Sequence, residues 1–190
     1  MHKLYYPIAI VLSMIIVGIN YELVFASTKD KPRNYEEIYP GIGYKSVDKA
    51  VKEFEKHFKQ ELKLPIRLPP LAFTHSFGRF NDLEGDINDS FEIEYVNDQI
   101  SVNHYMIDVR PIQHKIPFRE EHIAKKLKLS NGIEADYIVY KVIRALVFER
   151  DGWQYRLSID RRLTEKVTPE MLVKIADSID YPTKKDNLLE

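Results

Sequence analysis

The 190-residue chain has no cysteine, a single tryptophan and seven glycines, and it carries no excess of either charge. The missing cysteine excludes disulfides, thiolate metal sites, a thiol nucleophile and a lipid-modified cysteine, so packing alone must hold the core together. Lysine and arginine (28) balance aspartate and glutamate (29). A balance this close supplies no basic field for nucleic acid, and nucleic acid is not expected as a partner. Glycine-rich phosphate loops are absent as well. Gly41-Ile42-Gly43 lacks the third glycine of a dinucleotide fingerprint, because Ser46 stands where that residue belongs, and no strand pattern precedes it.

What is present is a globular composition, 44% hydrophobic and 30% charged. One almost unbroken apolar run stands out, residues 4–19 behind His2 and Lys3. With Val24 and Ala26 at the small-residue positions, residues 1–26 form a secretory signal cleaved at Ala26/Ser27, or else an uncleaved membrane anchor through residues 4–19. Both readings place the rest of the chain on the extracytoplasmic side of a membrane. Residues 27–45, rich in charge and without apolar periodicity, are expected to be a linker. Residues 46–182 are expected to be one domain of a size that buries a single core, and residues 183–190 a polar tail.

Within the domain, Ser46 opens a helix whose stripe is Val47, Ala50, Val51, Phe54, Phe58 and Leu62, ended by Pro65. The prolines at 65, 69 and 70 impose an extended course. Phe73, Phe77 and Phe80 are expected to pack in the core. Phe91, Ile93 and Tyr95 alternate with Glu92 and Glu94 as a half-buried strand with its carboxylates in water, turned tightly at Asn97-Asp98 into residues 100–109. Asn131-Gly132 predicts a type I′ hairpin, residues 142–148 a central strand covered on both faces, and Asp151-Gly152 a turn into residues 153–159, a strand with one wet face. Thr168-Pro169-Glu170 starts a last helix buried through Met171, Leu172, Ile175, Ala176 and Ile179. The fold class is therefore α+β: an antiparallel sheet of about six to seven strands with an N-terminal and a C-terminal helix packed on it.

Ser46-Val47-Asp48-Lys49-Ala50 leading to Leu64-Pro65 and Leu68-Pro69, and Gly152-Trp153-Gln154-Tyr155 with Ile175-Ala176-Asp177-Ser178-Ile179, are similar to the two ends of a Firmicute family of extracytoplasmic domains of unknown function. The resemblance implies a curved sheet like the half-barrel of lipoprotein carriers and an envelope location, free or as the outer domain of anti-sigma-like membrane proteins. It implies no catalytic residues, and residues 71–130 match it poorly.

Chemical constellations are sparse. Asp82, Glu84, Asp86, Asn88 and Asp89 space oxygen ligands like a calcium loop, but Ile87 and Ile93 occupy the positions that require glycine and the bidentate glutamate. An EF-hand is excluded, which leaves a solvated acidic loop or an irregular cation site at Asp82, Glu84, Asp86 and Asp89. His104, His114 and His122 fall on different segments without ligand spacing, and no serine carries a nucleophile-elbow signature. No cofactor is expected. The functional expectation is a non-enzymatic binding or sensory module of the bacterial envelope, taking an envelope protein, a peptide or a lipid. A concave apolar face could be lined by Phe91, Tyr95, Tyr105, Tyr137, Tyr140, Phe148, Trp153 and Tyr155, the same residues that would otherwise form the core. A structural or inhibitory protein-interaction domain is the alternative, and a hydrolase the lesser one.

Overall fold

The computed structural model describes residues 34–83 and 89–180. The targeting segment, the start of the expected linker, Glu84, Asp86 and the polar tail lie outside these described residues. Seven strands form one sheet: β1 (His75–Asn81), β2 (Ser90–Val96), β3 (His104–Pro111), β4 (Ile123–Lys128), β5 (Glu134–Tyr140), β6 (Ile143–Arg150) and β7 (Trp153–Asp160). All neighbours are antiparallel, in the order β1-β2-β3-β7-β6-β5-β4. The chain thus runs as two meanders, β1 to β3 and β4 to β7, joined where β7 pairs with β3. β1 and β4 remain as edges, so the sheet is open. Among the described residues three α-helices accompany it: α1 (Tyr35–Gly41), α2 (Val47–Phe58) and α3 (Pro169–Asp177). This is the α+β architecture that the periodicities predict.

Strand geometry sends alternate side chains to opposite faces. The register sets Phe91 against Val109, Ile107 against Leu157 and Phe148 against Tyr155, so these residues share the face on which α2 and α3 lie. α2 contributes Ala50 and Phe54 to that core, and α3 contributes Leu172, Ile175 and Ala176, all essentially without exposure. Met171, expected in the buried stripe, stays 36% exposed on the rim of α3. The start of α3 is as predicted, with the Thr168 hydroxyl accepting the Met171 N–H.

α2 ends earlier than its apolar spacing suggests. Lys59 adopts the left-handed conformation (φ 52°) directly after Phe58, and the Leu62 N–H beyond it donates to Glu55. Leu62 therefore joins the core from the connection and not from the helix.

β1 had no alternating signal, and its place comes from packing. Gly78 lies under α2, where an added Cβ would stand 2.9 Å from both the Ala50 Cβ and the Val47 Cα. Only a glycine permits that approach. Lys45 forms a two-hydrogen-bond bridge with Gly78 on the outer side of β1. The segment expected as a linker thus contributes α1 and a strand-like contact.

Two turns differ from expectation. The β2–β3 connection spans residues 97–103, because the Asn97 carboxamide accepts the N–H groups of Gln99 and Ile100 and donates to the Ala72 carbonyl, building a wider loop. At Asn131-Gly132 only Gly132 has positive φ (87°), which is incompatible with type I′ and gives a longer loop closed by the Leu129 N–H on Ile133. Asp151-Gly152 does place both residues at positive φ, 52° and 84°, as a type I′ turn requires.

Candidate functional site

Seven of the eight aromatics expected on an apolar face do share one: Phe91, Tyr95, Tyr105, Tyr137, Phe148, Trp153 and Tyr155. α2 and α3 cover that face. The Phe54 ring lies 4.8 Å from Trp153 and 5.8 Å from Phe91, and Phe148 stacks on Tyr155 at 5.1 Å. The Tyr155 hydroxyl donates to the Lys63 carbonyl at 2.9 Å, and burial raises its pKa well above the ordinary tyrosine value. These side chains fill the interior. Tyr140 points to the other face, 41% exposed, with its ring against His122.

That other face is where sequence and structure part. Alternation implies that Glu92, Glu94, Gln154, Arg156 and Ser158 stand in water. Glu94, Asp108, Gln154 and Ser158 are instead buried. Remote segments cover part of this face: α1 lies over β1, with Tyr39 stacked on Phe77 at 4.3 Å, and the β3–β4 crossover, residues 112–122, lies over β5, β6 and, at Gln154, β7.

Near α1 the face is a charge network. Glu92 accepts from the Tyr44 hydroxyl (2.7 Å) and from Arg79 (2.8 Å), and Arg79 also lies over the Tyr44 ring at 4.3 Å. Burial, and after it the hydrogen bond to Glu92, pushes the Tyr44 hydroxyl far above its usual pKa. Asp108 is held by both arms of Arg110, at 3.0 and 2.8 Å, with Arg156 at 3.7 Å. His104 pairs with Glu94, and that hydrogen bond raises the imidazole pKa. The network consumes its charges internally, which suits a positioning role rather than the activation of a reacting group.

On the other half of the face the crossover stands off from the sheet and leaves a cleft of about 580 Å³. Gln154, from β7, holds the crossover in place: its carboxamide accepts the Ile116 N–H (2.8 Å) and donates to the Ile116 carbonyl (3.1 Å), as a neighbouring strand would. Phe118 and Ile123 pack on Ile138, Ala145 and Val147 and seat the crossover's far end. Apolar Ile116, Pro117 and Phe118 line the cleft beside Glu120, Glu134, Asp136 and Glu149 on the acidic side and Lys115 and Lys126 on the basic side. Lys115 is already paired with Glu149 at 2.8 Å, so the open charge is predominantly negative. The volume falls within the range of ligand-binding pockets. Among the described residues its lining holds carboxylates and amines but no hydroxyl nucleophile, thiol or imidazole.

Of the acidic residues expected as cation ligands, Asp82 and Asp89 come together at the neck of the β1–β2 hairpin. The residues missed in the sequence are Gln154 and the crossover, since a glutamine at an outward strand position and a short proline-limited segment carry no local signal of covering one another.

Comparison with protein families, with curated proteins and with solved structures finds no match for this chain.

Proposed function

We propose that this protein is a non-enzymatic binding module of the bacterial envelope whose crossover cleft takes a basic, partly apolar peptide segment of another envelope protein. The observation that carries the reading is the pairing, in one cleft, of an apolar crossover (Ile116, Pro117, Phe118) with unspent carboxylates at Glu120, Glu134 and Asp136. Aliphatic and aromatic side chains of a peptide would lie against the crossover, and lysine or arginine would meet the carboxylates. The apolar run of residues 4–19 supports the envelope location.

The test is selection from a random peptide library on the immobilised full chain, repeated with the Glu134→Lys/Asp136→Lys double variant. Peptides enriched in lysine or arginine beside apolar residues, and lost on the double variant, support the reading. Selection without enrichment, or peptides held equally by the double variant, would refute it.

A second reading, a protein-interaction surface, is favoured by the β5–β6 tip, where Tyr140, Val142 and Ile143 are 41, 60 and 38% exposed. Crosslinking from this tip in cells distinguishes the two, because a partner captured there and not at the cleft supports the interaction surface.

A further inference from the structure

Three metal-ligating side chains that the cleft does not use meet at the neck of the β1–β2 hairpin. His57 comes from the last turn of α2, Asp82 follows β1 and Asp89 precedes β2. The imidazole is well seated, with its ring 4.6 Å from Phe58 and 5.1 Å from Phe80. One ring nitrogen and one oxygen of each carboxylate lie within 4.8 Å of one another.

Asp89 supplies an independent observation. It is wholly buried, and its Oδ1 accepts the Leu83 N–H at 2.8 Å. Its Oδ2, also buried, has no hydrogen-bond donor among the described residues. His57 Nε2 lies 3.1 Å from that oxygen, off the direction of a hydrogen bond, while Nδ1 lies 3.7 Å from Asp82 Oδ2. A carboxylate oxygen withdrawn from water and given no donor among the described residues is unfavourable unless a cation approaches it.

We propose that His57, Asp82 and Asp89 bind a divalent transition-metal ion of the zinc type. Donors around a tetrahedral zinc ion sit about 3.4 Å apart, given bond lengths of about 2.0–2.2 Å; Nε2 and Asp89 Oδ2 are already 3.1 Å apart, and exposed Asp82, whose 3.7 Å approach is to Nδ1, must swing toward Nε2 to complete the set. The imidazole selects against calcium and magnesium, which take oxygen ligands. Three protein ligands leave a coordination position open, and His57 and Asp82 line a cavity of about 480 Å³ onto which it would face. Lys45 on that cavity's wall is engaged by Glu53 at 2.6 Å. The rival arrangement is His57 paired with the two carboxylates and no metal.

The test uses the tag-free full chain, stripped with a chelator and titrated with Zn²⁺ against a zinc-binding dye, beside His57→Gln, Asp82→Asn and Asp89→Asn. The expected result is one equivalent of Zn²⁺ bound, a rise in unfolding temperature on binding, and a loss in affinity of at least about 10- to 100-fold in His57→Gln and Asp82→Asn, the loss that removing even an outer-shell partner brings. Excess Ca²⁺ should leave the Zn²⁺ in place. No Zn²⁺ binding by the folded wild-type chain, binding that survives both of those variants, or displacement by Ca²⁺ overturns the proposal. Asp89→Asn alters a buried group and can unfold the hairpin, whereas Asp82 is exposed and its variant keeps the test decisive.

Discussion

Replacing Gln154 with methionine keeps the length and shape of a buried side chain and removes only its amide. Two hydrogen bonds to the Ile116 backbone are lost, at 2.8 and 3.1 Å in the native fold. Each contributes a net of about 0.5–1.5 kcal/mol, so detaching the crossover should become easier by about 1–3 kcal/mol. The rest of β7 keeps its pairing with β3 and β6, and the effect should therefore stay local. Amide hydrogen exchange monitors it: the Ile116 N–H should exchange roughly 10- to 100-fold faster in the variant, while amides of the central strand, such as that of Leu157, keep their rates. An Ile116 amide that exchanges equally in both proteins would refute the tether. So would a loss of protection spread evenly over the sheet, because the glutamine would then support the fold and not the cleft.

Gly78→Ala should destabilise the fold by about 1–3 kcal/mol, because its Cβ would meet the backbone of α2, and thermal unfolding should fall by about 2–4 °C per kcal/mol; an unchanged unfolding temperature would show that α2 can lift without cost. The hydrogen bond that the His104 ring donates to Glu94 raises the His104 pKa, so this pair stabilises the fold fully below the unfolded-state histidine value, about 6.5, and the stability is lost as pH rises through the higher folded-state value. Urea unfolding of wild type and His104→Gln across neutral pH should show that alkaline decline in the wild type alone, and equal slopes would count against the pairing.

α2, α3 and most strands are legible because their apolar spacing coincides with the buried face: Ala50 and Phe54 in α2, Leu172, Ile175 and Ala176 in α3, and Phe91 and Ile93 in β2; α1 is not, because its segment carries no apolar periodicity. β1 was not, since its aromatics recur at helix-like intervals and its strand character arises from pairing with β2. The two faces were separable by alternation, but burial of the second was not. Gln154 has the polarity of a wet-face residue, and the crossover that covers it is distant in the chain. The same limit hid His57, which becomes a neighbour of Asp82 and Asp89 only when α2 lies along β1.

The central claim is recognition of a basic, partly apolar peptide by the crossover cleft. Its most direct test is titration of a library-selected peptide into the isotope-labelled full chain, followed residue by residue in NMR spectra. The account predicts saturable shifts confined to residues 115–123 and to outward positions of β5 and β6, among them Glu134, Asp136 and Val147. Shifts that map to α1, α2 or the β1–β2 hairpin and leave the crossover unperturbed would contradict it.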